Sequence, residues 1–265
     1  MQAAGIESPI VERIPVERFF AGMPAPSSGK TLTVIHIPAR SGSVRCPDKN
    51  IRLLSGHPLL AYSVRLALNL KGVDMVFVNT DSPRYAGIAR EYGACVPFLR
   101  PAELAREDSS LAEAANYMLK RLHQEGYRVG RWITLMPTSP FRRLDLTQEM
   151  LDSLTNHVSV CAVSTVQGGI DQMYVKRGGQ IRPLAEFLTM PLPGYDWIKI
   201  LGYFHGININ EYMSPEINLY DNFVYRLIKN PIEMIDIDSV EDFLLAERIV
   251  AEKLYDFGVD LWSTS

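Results

Sequence analysis

The chain has 265 residues, 47% of them apolar, enough for one large folded unit with a real core. Its 27 basic and 30 acidic residues leave a formal net charge of -3, which excludes the basic excess of a general nucleic-acid or anionic-membrane binder, and no apolar run reaches the length of a membrane span. Three scattered cysteines, Cys46, Cys95 and Cys161, have neither zinc nor redox spacing, and no export leader opens the chain, so the expectation is a cytoplasmic protein whose partner is a small anion.

Residues 1–30 hold Pro9, Pro15, Pro24 and Pro26 around one short apolar cluster, Phe19 and Phe20, and read as an extension, partly ordered at best. A single unit over 31–258 follows. Leu32 to Ile37 is a Val/Ile-rich run bounded by Pro38, the pattern of a buried strand. The next stretch is polar: between Ala39 and Leu53 stand four cations, Arg40, Arg45, Lys49 and Arg52, against one acid, Asp48, with Ser41, Gly42 and Ser43 among them. Small residues let backbone N–H groups approach an anion, and fixed cations neutralise it. Such a loop is either a solvated turn or a phosphate cradle. Its place after the first strand, where open α/β sheets bind ligands, favours the cradle. Neither the Walker nor the dinucleotide glycine spacing is present. Cys46 lies in this loop and reads as a spectator rather than a nucleophile.

A helix is predicted over Leu59 to Leu70, a strand over Asp74 to Asn79, and a helix over Arg84 to Tyr92 behind Pro83. A short strand over Cys95 to Phe98 and a loop at Arg100 to Leu104 lead to a helix capped by Ser109 or Ser110, with Leu111, Ala115, Met118, Leu119 and Leu122 at helical spacing. Then come a strand, Trp132 to Met136, a Pro137-Thr138-Ser139-Pro140 turn, a helix, Asp145 to Leu154, and a strand, Val158 to Thr165. Alternation at this interval implies an α/β fold, a mostly parallel sheet covered by helices on both faces.

The alternation breaks at about 167–210, where glycine pairs and Pro191 to Gly194 separate short pieces, so a hairpin excursion is expected there. Tyr195, Trp197, Tyr203 and Phe204 within it suit a subunit interface or a ligand pocket equally. Glu233 to Ile237 reads as a last buried strand and Val240 to Leu254 as the closing helix. On a strand, Asp236 and Asp238 would point to one face, either as ligands of a hard divalent cation or as a strand end running into a helix cap.

Five motifs in order carry a resemblance: PARSGSVRCPDKNIRLLSGHPLLAYS, VNTD, EYGACVPFLRPAELA, LMPTSPFR and IDIDSVEDFLLAE. Over Ile35 to about Leu254 the chain resembles the acylneuraminate cytidylyltransferases, which make CMP-sialic acid. The resemblance implies a single nucleotidyltransferase domain over 31–258, a homodimer into whose partner the excursion reaches, and attack of a 2-keto-3-deoxy sugar acid on the α-phosphate of CTP. It implies that Arg40 and Ser43 hold phosphates, that Arg45 and Lys49 add charge, that Asn50, Arg100 and Ser110 position the nucleotide, and that Asp236 and Asp238 hold Mg²⁺. The departures lie mostly on the acceptor side. Val44 stands where the family has a lysine and Met136 where it has a glutamine, while Tyr203 to Ile209 lacks the arginine, asparagine and tyrosine of the sugar-reading segment, with His205 at the asparagine position. Met136, Tyr203 and His205 are therefore the acceptor candidates. Two readings follow: a cytidylyltransferase with an unusual acidic acceptor, or a weakened nucleotide-binding homologue that serves as a partner subunit.

Overall fold

The computed structural model describes residues 31–165, 174–177, 180–183, 198–209 and 223–263. The expected extension at 1–30, the segment Met190 to Gly194, Tyr195 and Trp197 all lie outside the described residues.

Strands β1 (Leu32–Pro38), β2 (Met75–Asn79), β3 (Val129–Thr134), β4 (Ser159–Thr165), β7 (Ile198–Asn208) and β8 (Phe223–Leu227) form one six-stranded sheet, and β5 (Tyr174–Arg177) pairs with β6 (Gln180–Pro183) in a separate antiparallel hairpin. The order in the large sheet is β8-β4-β7-β3-β1-β2. β1 is parallel to both β2 and β3, and β4 is parallel to β8. Only β7 runs against its neighbours, between β3 and β4. The fold is the α/β class expected, with five parallel strands and one reversed.

Period-two alternation on β1 divides the core. Ile35 and Ile37 face one layer, with Leu60 and Val64 of α1 (Leu59–Leu68), Tyr85 and Ala86 of α2 (Pro83–Glu91) and Met150 and Leu151 of α4 (Leu144–Ser153). Val34 faces the other, with Phe77, Trp132 and the Met118, Leu119 and Leu122 stripe of α3 (Leu111–Gln124). A third cluster joins α1 to α5 (Val240–Ala251) and continues to Leu261, while Arg65 donates to the carbonyls of Leu261 and Ser263, so packing runs on past residue 258.

Helix starts follow their caps. Ser82 accepts from Tyr85 N with Pro83 in the first turn, and Ser110 and Ser239 each form a capping box, with Glu113 and Asp242.

Four expected elements come out differently. Cys95 to Phe98 makes a single bridge, Phe77 to Cys95, rather than a strand. The strand expected at Trp132 to Met136 starts earlier and ends at Thr134, because Met136 N turns aside to donate to Gly202 O. Residues 198–208 belong to the main sheet and not to an excursion, and Tyr203 and Phe204 are core side chains rather than an interface or pocket. Glu233 to Ile237 is no strand: Asn230 caps a 3-10 helix at Pro231–Met234, and β8, which the sequence reading passed over, is the last strand. Among the described residues no helix is long and apolar enough to cross a membrane.

Candidate functional site

β1, β2 and β3 run the same way, and the loops after Pro38, Asn79 and Thr134 leave from one edge of the sheet. There they enclose a cleft of about 270 Å³. Nine of the expected site residues line it: Arg40, Ser43, Lys49, Asn50, Arg100, Ser110, Met136, Asp236 and Asp238. Asp236 and Asp238 reach it from an irregular segment rather than from a strand. Arg106, Ser109, Thr138 and Pro137 line it too, none of them among the site residues expected from the sequence.

The loop after β1 is shaped by Asp81 and Asp48. Asp81 accepts from the Ser41 backbone N–H at 2.9 Å and from its hydroxyl at 2.5 Å, which fixes the loop's first turn. Asp48 sits in the left-handed region, φ 54°, a conformation aspartate tolerates better than most residues. Its carboxylate accepts from Tyr85 Oη at 2.9 Å and Arg84 at 3.2 Å, and that turn starts the short 3-10 helix presenting Lys49 and Asn50 to the cleft.

Asn50 is 5% exposed; its Nδ2 donates to Arg40 O at 3.0 Å, and its buried Oδ1 has no partner among the described residues. An unpaired buried acceptor costs about 1–3 kcal/mol unless a donor arrives. Arg100 is nearly as buried. Its Nε donates to Asn79 Oδ1 at 2.9 Å and its Nη2 to Asn79 O at 2.8 Å, while burial lowers its pKa to about 10. Behind it, Asn79 Nδ2 lies 3.1 Å from His36 Nε2, and His36 Nδ1 lies 3.2 Å from Thr134 Oγ1. Because Asn79 offers an N–H there, His36 Nε2 accepts and Nδ1 carries the proton. Burial, with the charge of Arg100, lowers the His36 pKa to about 3, so the chain Thr134–His36–Asn79–Arg100 is built around a neutral imidazole.

Asp238 accepts from Lys49 Nζ and from Arg45 Nη2, each at 2.9 Å, and the Lys49 hydrogen bond holds its carboxyl below the usual carboxylate range. Arg45 is thus placed outside the cleft lining, tied to the rim. Ser110 Oγ accepts from Glu113 N as a helix cap, which leaves its hydroxyl proton to donate.

Tyr203 and His205 do not reach the cleft. They lie on β7, where Tyr203 is fully buried and its hydroxyl accepts from Arg143 N, while burial holds the His205 pKa below its ordinary value. Arg142, in the LMPTSPFR motif, is fully buried. It donates to Tyr203 O, Met136 O, Gly202 O and Ser63 Oγ, locking the wall formed by Met136 to Thr138 against β7. The cue for it was an arginine inside an apolar motif.

The donor set suits a hard divalent cation in part. Asp236 and Asp238 offer carboxylate oxygens to one cleft, but among the described residues no three His, Cys, Asp or Glu side chains stand close enough to hold a metal alone. Such an ion would need further oxygens from a bound anion, as Mg²⁺ in nucleotide sites does.

Comparison with known proteins finds relatives in sequence and in fold. The model of the family described as "Cytidylyltransferase" matches residues 34–172. The CMP-N,N'-diacetyllegionaminic acid synthase of Legionella pneumophila is 30% identical over 223 residues, covering 81% of this chain and 94% of that protein. The N-acylneuraminate cytidylyltransferase of Escherichia coli O18:K1:H7 is 30% identical over 239 residues, 84% of this chain but 53% of that longer protein. A CMP:2-keto-3-deoxy-manno-octonic acid synthetase solved with CTP shares the fold at a TM-score of 0.58 and 16% identity, over 84% of this chain and 100% of that one.

Proposed function

The chain belongs to the cytidylyltransferase family, and from that premise we propose that it transfers CMP from CTP to a 2-keto-3-deoxy sugar acid or a related acid, releasing pyrophosphate. The observation that carries this reading is the convergence of Arg40, Ser43, Lys49, Asn50, Arg100 and Ser110 with Asp236 and Asp238 on one cleft.

In this reading the acceptor's anomeric oxygen attacks the α-phosphorus. The bond to the bridging oxygen of the β-phosphate breaks, pyrophosphate leaves, and the hydroxyl proton passes to solvent. Phosphoryl transfer needs alignment and charge neutralisation more than covalent help. Arg40, Ser43 and Lys49 bind the triphosphate. Arg100, held rigid by Asn79, and the open acceptor Asn50 Oδ1 orient the nucleoside, with Ser110 donating its hydroxyl proton. Asp236 and Asp238 hold Mg²⁺, which when bound neutralises phosphate charge. Arg45, tied to Asp238, adds charge at the rim. Met136 is the acceptor contact among the candidates, since it alone of them lines the cleft. The enzyme works as a cytoplasmic homodimer, a reading supported by the free cysteines and by exposed Ile198 and Ile200 where β7 enters the sheet.

The test is pyrophosphate release from CTP, UTP, GTP and ATP with Mg²⁺ and a panel of keto-sugar acids. CTP-selective release with one acid supports the assignment. CTP binding with no turnover on any acid would instead make the chain a nucleotide-binding homologue, and no CTP binding would sink both.

A further inference from the structure

The geometry points to Arg106 as a phosphate-binding residue of the cleft, closing on the triphosphate from the loop opposite the one that follows β1; this rests on the cytidylyltransferase reading. The cleft must neutralise a polyanion while carrying two carboxylates of its own. Its cations are Arg40, Lys49, Arg100 and Arg106. Lys49 shares its charge with Asp238 at 2.9 Å, and Arg100 makes two bonds to Asn79. The loop after β1 lines the cleft with no further cation: Arg45 stays at the rim, paired with Asp238, and Val44, beside Ser43, is 72% exposed and apolar.

Arg106 is a cation of the cleft with little to give up. Its ion pair is with Asp108 at 3.3 Å, between side chains 68% and 76% exposed, a pair in water that contributes little. Its backbone, by contrast, is fixed. Ser109 N donates to Arg106 O at 3.3 Å and Ser109 Oγ to Glu103 O at 2.8 Å, closing the loop around it. That loop touches the other wall: Arg40 Nη1 donates to Ala105 O at 3.4 Å, and a Cβ on Gly42 would stand 3.8 Å from Arg40 Nη1 and 4.0 Å from Ala105 O. An anchored backbone with an uncommitted guanidinium, one residue from a contact with Arg40, is arranged to fold onto an anion bound between the loops. A planar guanidinium also suits paired phosphate oxygens.

The test is calorimetric titration of the full chain with CTP, inorganic pyrophosphate and, by competition, cytidine, all with Mg²⁺. Arg106→Ala should weaken CTP and pyrophosphate on the order of tenfold or more, leave cytidine unchanged, and be largely rescued by Arg106→Lys. Asp108→Ala, which frees the guanidinium, should keep or raise CTP affinity. Unchanged CTP binding in Arg106→Ala, an equal loss for cytidine, or a matching loss in Asp108→Ala would each overturn the assignment. Failure of the unsubstituted chain to bind CTP would instead overturn the function on which it rests.

Discussion

The loop at 39–50 and strand β7 both supply polar side chains near the cleft, and the two regions use them differently. The loop leaves its strand at the sheet edge. Its backbone is held by Asp81 and by the left-handed turn at Asp48, so Arg40, Ser43, Lys49 and Asn50 line the cleft. β7 runs through the sheet with neighbours on both sides, so Tyr203 is taken up by the core and His205 sits in the ladder between β3 and β4. Polar groups beyond a strand end are free to bind, whereas those within a central strand belong to the frame. β7 still shapes the cleft, but from behind: Gly202 O accepts from Met136 N and from buried Arg142.

The strongest test of this contrast is a matched pair of substitutions. Arg40→Ala removes a preorganised cation and should lower kcat/KM for pyrophosphate release by about 10² to 10³, roughly 3–4 kcal/mol. His205→Gln, on β7, should leave the acceptor KM within about threefold, since the side chain does not reach the cleft; a change of this size is small on the same scale. A tenfold rise in acceptor KM from His205→Gln would break the contrast.

A smaller effect sharpens it. A Cβ at Gly202 would lie 2.8 Å from Ser139 Oγ and 2.9 Å from Met136 Cβ, closer than side chains tolerate. Gly202→Ala should therefore cost about 1–3 kcal/mol of stability through overpacking and push Met136 toward the cleft. Thermal unfolding reads the first effect, and acceptor KM the second. If β7 frames the cleft, acceptor KM moves while CTP affinity stays; equal losses for both would mean that the whole site had shifted.

The same contrast explains which parts were legible in the sequence. The cations and small residues after β1 advertise their chemistry because a loop carries no competing packing pattern. The caps at Ser82, Ser110 and Ser239 likewise fix helix starts locally. Strand membership is not local. Residues 198–208 look like part of an excursion until β3 and β4 accept them as the reversed strand between, and Glu233 to Ile237 looks like a strand until Pro231 and the Asn230 cap wind its start into a 3-10 turn. Motif correspondence carries a role across to Tyr203 and His205 but not the packing around them, and on β7 neither lines the cleft. Arg106 escaped notice because one arginine in a charged loop has no pattern of its own.

The smallest effect concerns the frame behind Arg100. His36 is neutral, with Nε2 accepting from Asn79, and protonating it would set N–H against N–H beside a guanidinium. Its pKa is lowered from 6.5 to about 3 in the folded chain. Between those values the unfolded chain binds the extra proton, so stability must fall as pH drops below about 6.5, by up to ~1.4 kcal/mol per pH unit from this group. His36→Leu removes that dependence, while its own cost, an unpaired Asn79 N–H worth about 1–3 kcal/mol, does not vary with pH. Urea unfolding of both chains at pH 7.5 and 5.5 should therefore show the gap between them narrowing by about 1 kcal/mol at the lower pH, since titrations common to both cancel. A gap that stays constant would mean that His36 accepts a proton in place, and that Arg100 is held by Asn79 without the imidazole behind it.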